Sequence, residues 1–138
     1  MAKFGKTLIA LVRLTNLLTH ELAPLLERHR LTPQQWLLLA ALATSEEPPT
    51  LAGLARALLV TKQNMTGMTT RLESLGLLRR VADPTDLRAM RVHLTRRGAA
   101  IHEKIEPEFE RWAERVLGTL SGNERKSFAW AVSAMLRP

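Results

Sequence analysis

The sequence predicts a mainly α-helical domain that carries one short β-hairpin. Apolar residues recur every three or four positions over residues 4–30 and again over residues 101–116, which is the spacing of amphipathic helices. Between these segments, two short helical patterns are separated by a turn at Leu59 and Val60, and a run of alternating apolar and polar residues follows. Helix, turn, helix and hairpin in this order are typical of a winged helix-turn-helix.

The N-terminal helix is expected over residues 4–30, where leucines lie at helical spacing on more than one face. Pro24 interrupts this pattern and should kink or split the helix, since proline lacks an amide donor and clashes with the preceding turn. Thr32 and Gln35 have the spacing of a capping box, so a second helix should begin there and run to about Ala43.

The two helices of the predicted helix-turn-helix are expected to begin at Thr50 and Thr61, because threonine is a common N-terminal cap. The second ends near Gly76, and its apolar residues repeat at intervals of three, four and three, which predicts one buried stripe formed by Met65, Met68, Leu72 and Leu75. Its opposite face is polar and nearly free of acidic residues. Such side chains can hydrogen-bond to base edges or touch a thymine methyl group, and Gly67 would let the backbone approach DNA.

The alternative to DNA binding is that this segment is an ordinary amphipathic helix whose polar face contacts only water. In the preferred interpretation this second helix is the recognition helix, which enters the DNA groove. Its predicted DNA-binding residues are Thr61, Lys62, Gln63, Asn64, Thr66, Gly67, Thr70 and Arg71.

The hairpin is expected to form from residues 78–82 and 89–94, which flank a loop of good turn residues. Arg88 lies at its tip and can enter a minor groove while arginines in the strands meet phosphates. Asp86 can cap the turn or orient that arginine. The alternative is turn chemistry alone, which leaves the arginines unexplained. The residues predicted to bind DNA from the wing are Arg79, Arg80, Asp86, Arg88 and Arg91.

The C-terminal segment predicts two more helices. Thr95 can cap a long helix that ends at Gly118, and Ser121 and Glu124 form a capping box for the last one. Together with the N-terminal helix they carry more apolar surface than one small domain can cover, which predicts a homodimer built from both ends of the chain. The alternative is that these helices pack only on their own domain.

Positive charge is concentrated in the middle of the chain. The net charge of +7 over 138 residues divides into +1 for residues 1–50, +6 for residues 51–97 and 0 for residues 98–138. A polyanionic partner favours such clustering, whereas a solvated basic face is the alternative. The sequence has no cysteine, which excludes disulfides, thiolate metal sites and cysteine-based redox sensing.

Other function classes find little support in the sequence. No apolar run has membrane-spanning length and no signal-peptide pattern is present, so we expect a cytoplasmic protein without membrane contact. No glycine-rich phosphate loop, nucleophile elbow or carboxylate pair indicates an enzyme, and the histidines lack metal-site spacing, so no catalytic residue, metal or cofactor is predicted. The remaining rival is a winged helix that binds protein, or binds DNA without sequence preference.

Four motifs stand out along the chain. They are Leu31-Thr32-Pro33-Gln34-Gln35-Trp36, Leu54-Ala55-Arg56-Ala57-Leu58, Asp83-Pro84-Thr85-Asp86-Leu87-Arg88 and Val92-His93-Leu94-Thr95-Arg96-Arg97-Gly98. Taken together they resemble the MarR (multiple antibiotic resistance regulator) family, and the resemblance covers essentially the whole chain. The most specific of them is the wing followed by Val-x-Leu-Thr-x-x-Gly.

The resemblance implies a triangular homodimer of bacterial or archaeal origin that binds a pseudo-palindromic operator in double-stranded DNA, usually as a repressor that a small aromatic ligand releases. It implies one domain over residues 1–138, with a DNA-binding lobe at 32–97 and a dimerisation lobe formed by 1–31 and 98–138. By position, the resemblance makes His20 and Trp36 candidates for an effector pocket. Two departures from the usual pattern are Leu87, where the wing often has a second basic residue, and Leu59, where helix-turn-helix proteins often have glycine.

Overall fold

The structure is a computed structural model that describes residues 2–137. The end residues of the predicted domain, Met1 and Pro138, lie outside this range. Within it the elements are α1 (Lys3–Glu27), α2 (Pro33–Thr44), α3 (Leu51–Ala57), α4 (Lys62–Ser74), β1 (Leu78–Ala82), β2 (Met90–Leu94), α5 (Arg96–Leu117) and α6 (Gly122–Met135). The predicted helical fold with a hairpin is thereby confirmed.

The chain divides into two compact units, Met1–Ile105 and Glu106–Pro138, and α5 contributes residues to both. The lobes inferred from the sequence, residues 32–97 and residues 1–31 with 98–138, remain a prediction.

Helix starts follow the local capping signals. The hydroxyl oxygen of Thr32 accepts a hydrogen bond from the Gln35 amide at 3.2 Å, and the Gln35 side chain accepts one from the Thr32 amide at 3.0 Å. Ser121 and Glu124 form the same reciprocal pair at the start of α6, which lowers the pKa of Glu124 through the Ser121 amide and hydroxyl. Both predicted capping boxes are confirmed.

Helix α1 is continuous through Pro24, so the predicted split does not occur. Pro24 lies on an exposed face, where water can hydrate the carbonyl that loses its amide donor. Pro107 is accommodated in the same way on an exposed face of α5. None of the helices formed by residues 2–137 combines the length and apolarity needed to cross a bilayer.

The core lies within the first unit and brings together the end of α1, α2, α4 and the hairpin. The predicted stripe of α4 faces it, because Met65 and Leu72 are fully buried. Thr69 is buried beside them, and its hydroxyl donates to the Met65 carbonyl at 2.9 Å, so its polar group is satisfied. The other large side chains with almost no exposure are Leu26, Leu38, Leu39, Leu78, Val92 and Ile105.

The hairpin is antiparallel, and its register places Leu78 opposite Leu94 and Arg80 opposite Val92. A third short segment joins it, because Thr50 forms a bridge with Arg91 and the Val92 amide donates to the Pro49 carbonyl at 2.9 Å. The segment before α3 therefore fixes the base of the wing.

The start of α5 is attached to the hairpin by a close contact at Gly98. The Thr95 hydroxyl accepts from the Gly98 amide at 3.0 Å and donates to the Gly76 carbonyl at 2.6 Å. A Cβ atom at position 98 would lie 2.0 Å from the Leu77 carbonyl oxygen. Only glycine fits there, which explains why the Thr-x-x-Gly spacing follows the second strand.

Candidate nucleic-acid interface

The turn between α3 and α4 sets the direction of the second helix. The Val60 amide donates to the Ala55 carbonyl at 3.0 Å, and the Thr61 hydroxyl caps α4 by accepting from the Asn64 amide at 3.0 Å. Leu59 occupies the left-handed region with φ of 54° and is 76% exposed. A left-handed conformation costs a residue with a Cβ about 1–2 kcal/mol, which is why glycine is common here.

The polar face of α4 is fully presented to solvent. Every residue predicted to read DNA from this helix is exposed, and no acidic side chain lies among them; they are Thr61, Lys62, Gln63, Asn64, Thr66, Gly67, Thr70 and Arg71. Glu73, the one acidic residue of α4, is engaged elsewhere. Helix α4 therefore exposes amide, hydroxyl and basic side chains on one side and packs against the core on the other.

Asp83 holds the base of the wing loop together and is only 5% exposed. One of its oxygens accepts from the Thr85 amide at 2.9 Å and from the Thr85 hydroxyl at 2.8 Å, while the other accepts from Arg91 Nε at 2.9 Å. These hydrogen bonds, that of the Thr85 amide first, outweigh burial and lower the pKa of Asp83 to about 2. Asp83 therefore connects the start of the loop to Thr85 within it and to Arg91 in β2.

The wing tip presents Arg88. The Asp86 carboxylate accepts from the Arg88 amide at 3.0 Å, so Asp86 caps the turn, as one of its two predicted roles requires. The Ala89 amide closes the turn by donating to the Asp86 carbonyl at 3.0 Å. Arg88 is exposed, and so is the neighbouring Leu87, whose exposed fraction is 82%.

Two of the four predicted wing arginines have partners inside the protein. Arg80 Nη2 lies 2.9 Å from Glu73 Oε1, and the Arg80 amide donates to Glu73 Oε2 at 2.8 Å; that amide, followed by the guanidinium, lowers the pKa of Glu73. Arg91 binds Asp83 and also donates to the Pro48 carbonyl at 2.9 Å. Arg79 and Arg88 remain exposed.

The sequence did not indicate these pairings, although it contained a signal. Residues 51–97 have only three acidic side chains against nine basic ones, and two of the three bind an arginine. In that described segment, seven basic side chains form no ion pair, and Asp86 is the one acidic residue left beside them. They are Arg56, Lys62, Arg71, Arg79, Arg88, Arg96 and Arg97.

Sequence comparison places this arrangement in a known family. A model described as MarR family matches residues 29–89. The transcriptional regulator HosA of Escherichia coli O111:H- is 33% identical over 132 residues, which cover 89% of this chain and 97% of HosA. The chain belongs to the MarR family.

Two further relatives differ in how much of their own length the chain matches. The transcriptional activatory protein BadR of Rhodopseudomonas palustris is 36% identical over 71% of this chain and 58% of BadR, so the chain spans less than two thirds of that relative. The homoprotocatechuate degradative operon repressor of Escherichia coli is 31% identical over 74% of this chain and 68% of the repressor.

Solved structures agree on the MarR fold. AbsC, a MarR family transcriptional regulator from Streptomyces coelicolor, superposes with a TM-score of 0.89 at 23% identity, covering 98% of this chain and 93% of AbsC. The MepR–DNA complex of S. aureus gives 0.86 at 22% identity over 93% and 94%. NadR in complex with 4-hydroxyphenylacetate gives 0.81 at 24% identity over 94% and 91%.

The two residues predicted to line an effector pocket differ in exposure. Trp36 is 4% exposed and stacks on His102, with ring centroids 5.1 Å apart and planes 13° apart. His20 is exposed on α1. The stack joins α2 to the first part of α5, a contact that helical spacing alone did not indicate. Across residues 2–137, no group of three or more histidine or acidic side chains is arranged to hold a metal ion.

Proposed function

We propose that this MarR-family protein is a homodimeric regulator that binds a two-fold symmetric operator in double-stranded DNA. Helix α4 enters the major groove, and Arg88 at the wing tip enters the adjacent minor groove. The protein acts in the cytoplasm of a bacterium or archaeon, where it represses transcription until a small aromatic effector releases it. No catalytic step is assigned to the chain.

This proposal rests on the exposed face of α4, which has no acidic side chain and lies near basic side chains that form no ion pair. Glu73 and Asp83, the two acids nearest to it in the chain, are occupied by Arg80 and Arg91. Phosphates approaching the recognition helix and the wing therefore meet mainly positive charge. We assign Arg80 and Arg91 a positioning role, because their guanidinium groups already hold the wing in place.

Dimerisation is supported by the apolar side chains that the terminal helices expose. Phe4 and Val12 of α1 are 83% and 58% exposed, and Trp130 and Met135 of α6 are 67% and 66% exposed. Exposed apolar surface of this extent is typical of a face that another protein covers. A second copy of the chain is the partner that a palindromic operator requires.

An aromatic effector is supported by the relatives and by one contact. One relative is named for homoprotocatechuate degradation, and the NadR structure contains 4-hydroxyphenylacetate. The Trp36–His102 stack links the lobe that carries α4 to α5. A ligand that inserts beside this stack would change how the recognition helix is held. His20 stays a candidate by position.

The decisive experiment is selection of bound duplexes from a random DNA pool. We expect a two-fold symmetric sequence whose binding resists competition by unrelated DNA. A pool that shows no enrichment would contradict sequence-specific binding and favour a winged helix that binds protein or any DNA.

A matched pair of glutamine variants tests which helix reads the operator. Gln63→Ala on α4 should weaken binding to the selected duplex by about 1–3 kcal/mol and leave binding to random DNA nearly unchanged. Gln34→Ala removes an exposed glutamine from α2 and should change neither. Equal losses on both duplexes for Gln63→Ala would show that this face does not read bases.

A further inference from the structure

The exposed threonines of α4 donate their hydroxyl hydrogens to backbone carbonyls of the same helix. Thr66 Oγ1 donates to the Lys62 carbonyl at 2.9 Å, and Thr70 Oγ1 donates to the Thr66 carbonyl at 2.8 Å. A hydroxyl has a single hydrogen, so neither threonine can donate to a base while these bonds persist. Each side chain still offers a methyl group and oxygen lone pairs.

Gly67 lies on the same face and has no structural reason to be glycine. A Cβ atom built there would meet nothing within 4 Å, and its φ is not in the positive range. Glycine inside a helix is unfavourable relative to alanine. The absence of a side chain at this exposed position therefore suits an external surface that comes close to the backbone.

The three residues form one patch on the helix. Thr66 and Thr70 are four residues apart and so neighbour each other on one side, about 6 Å apart along the axis at the α-helical rise. Gly67 lies beside them and leaves a shallow depression. The exposed polar side chain of Gln63 borders the depression, and no acidic residue adjoins it.

We infer that Thr66, Gly67 and Thr70 form a site that recognises the C5-methyl group of thymine. This methyl is the one apolar group on the major-groove edges of the base pairs, and threonine methyls with an open glycine surface are its chemical complement. The inference rests on the proposed function and adds which base the patch selects. Thymine should accordingly recur in each half-site opposite the centre of α4.

The test replaces thymine by deoxyuridine, which lacks only the methyl group, one position at a time in the selected operator. For the wild-type protein, we expect about a fourfold loss of affinity at one or two positions per half-site, the size expected for one buried methyl group. Fluorescence anisotropy at fixed salt measures these losses. Operators that tolerate deoxyuridine at every position would overturn the inference.

Two variants of Thr70 separate the methyl group from the hydroxyl group. Thr70→Val keeps the methyl and should bind within twofold of wild type, with the same sensitivity to deoxyuridine. Thr70→Ser keeps the hydroxyl and should bind the thymine operator about fourfold more weakly, without distinguishing deoxyuridine. The reverse pattern would show that the hydroxyl oxygen reads the base and would overturn the inference.

Gly67→Ala provides an independent check on the depression. Its melting temperature should equal or exceed that of wild type, while its affinity for the operator falls by tenfold or more, because the added methyl occupies the space of the thymine methyl. Unchanged affinity would overturn the inference. If no duplex is enriched by the wild-type protein, the proposed function itself fails, which is a different result from an operator insensitive to deoxyuridine.

Discussion

Helices α4 and α6 have nearly the same length, 13 and 14 residues, but they present opposite surfaces. In α4 the apolar stripe faces the core, with Met65 and Leu72 at 0% exposure and Met68 and Leu75 half-buried, and the polar face is exposed. Helix α6 has no buried residue, and Trp130 and Met135 remain about two-thirds exposed. Helix α4 packs Met65 and Leu72 inside the fold, and we propose that its exposed polar face binds DNA. Within residues 2–137 the apolar side chains of α6 stay exposed, and we propose that they bind the second copy of the chain.

The largest expected effect is on the stability of the fold in which α4 is packed. Gly98→Ala should reduce the free energy of unfolding by about 3 kcal/mol, because the new methyl would lie 2.0 Å from the Leu77 carbonyl oxygen and α5 must shift. Chemical denaturation measures this loss. Gly67→Ala, with open space around it, is the matched control and should be neutral or stabilising by up to about 1 kcal/mol. Similar losses at both glycines would refute the assigned packing of α5.

The next effect concerns α6. Trp130→Glu should weaken the dimer by about 2 kcal/mol, roughly thirtyfold, because a large exposed aromatic side chain is the kind of residue that dominates interfaces. Sedimentation as a function of concentration measures the change, and helical content should stay constant. Asn123→Glu in the first turn of the same helix is the control. A dimer unaffected by Trp130→Glu would mean that another face of the molecule joins the two copies.

A smaller effect concerns Arg88 at the wing tip. Arg88→Ala should reduce the slope of the logarithm of affinity against the logarithm of salt concentration by about 0.9, because an arginine in the narrow minor groove displaces about one counterion from the DNA. Arg13→Ala removes an exposed cation from α1 and should leave the slope unchanged. Fluorescence anisotropy over a salt series gives both values. An Arg88 variant with the wild-type slope would exclude the wing tip from the DNA interface.

The smallest effect is the acid dependence of wing stability. The pKa of Asp83 is lowered to about 2 in the folded protein from an ordinary value of 3.8, so its stabilising contribution is complete above about pH 5 and is lost as the pH falls through about 4 to below about 2. Asp83→Asn should remove this part of the acid dependence. Denaturation midpoints between pH 5 and pH 2 test it, with the exposed-loop variant Glu46→Gln as control. Parallel profiles for wild type and Asp83→Asn would contradict the assignment.

The features that were predictable from the sequence are those set by neighbouring residues. The caps at Thr32, Thr61 and Ser121 act over three residues, so a local pattern reveals them. The α4 stripe and the two strands follow from the periods of helix and strand.

The features that were not predictable depend on distant segments meeting in space. The Arg91 contact with Pro48 crosses 43 residues, and the contact of Gly98 with Leu77 depends on how closely α5 approaches the hairpin. The Trp36–His102 stack likewise joins two helices far apart in the chain. For the candidate site, the sequence indicated which arginines are present, whereas the packing of β1 against α4 determined that Arg80 meets Glu73.

The central claim is that the polar face of α4 reads a DNA sequence. The most direct measurement is the affinity of the purified protein for its selected duplex and for a scrambled duplex of equal length and composition, at one physiological salt concentration. We predict that the selected duplex binds at least about 10³-fold more tightly, as specific DNA-binding proteins do. Equal affinities for the two duplexes would contradict the claim.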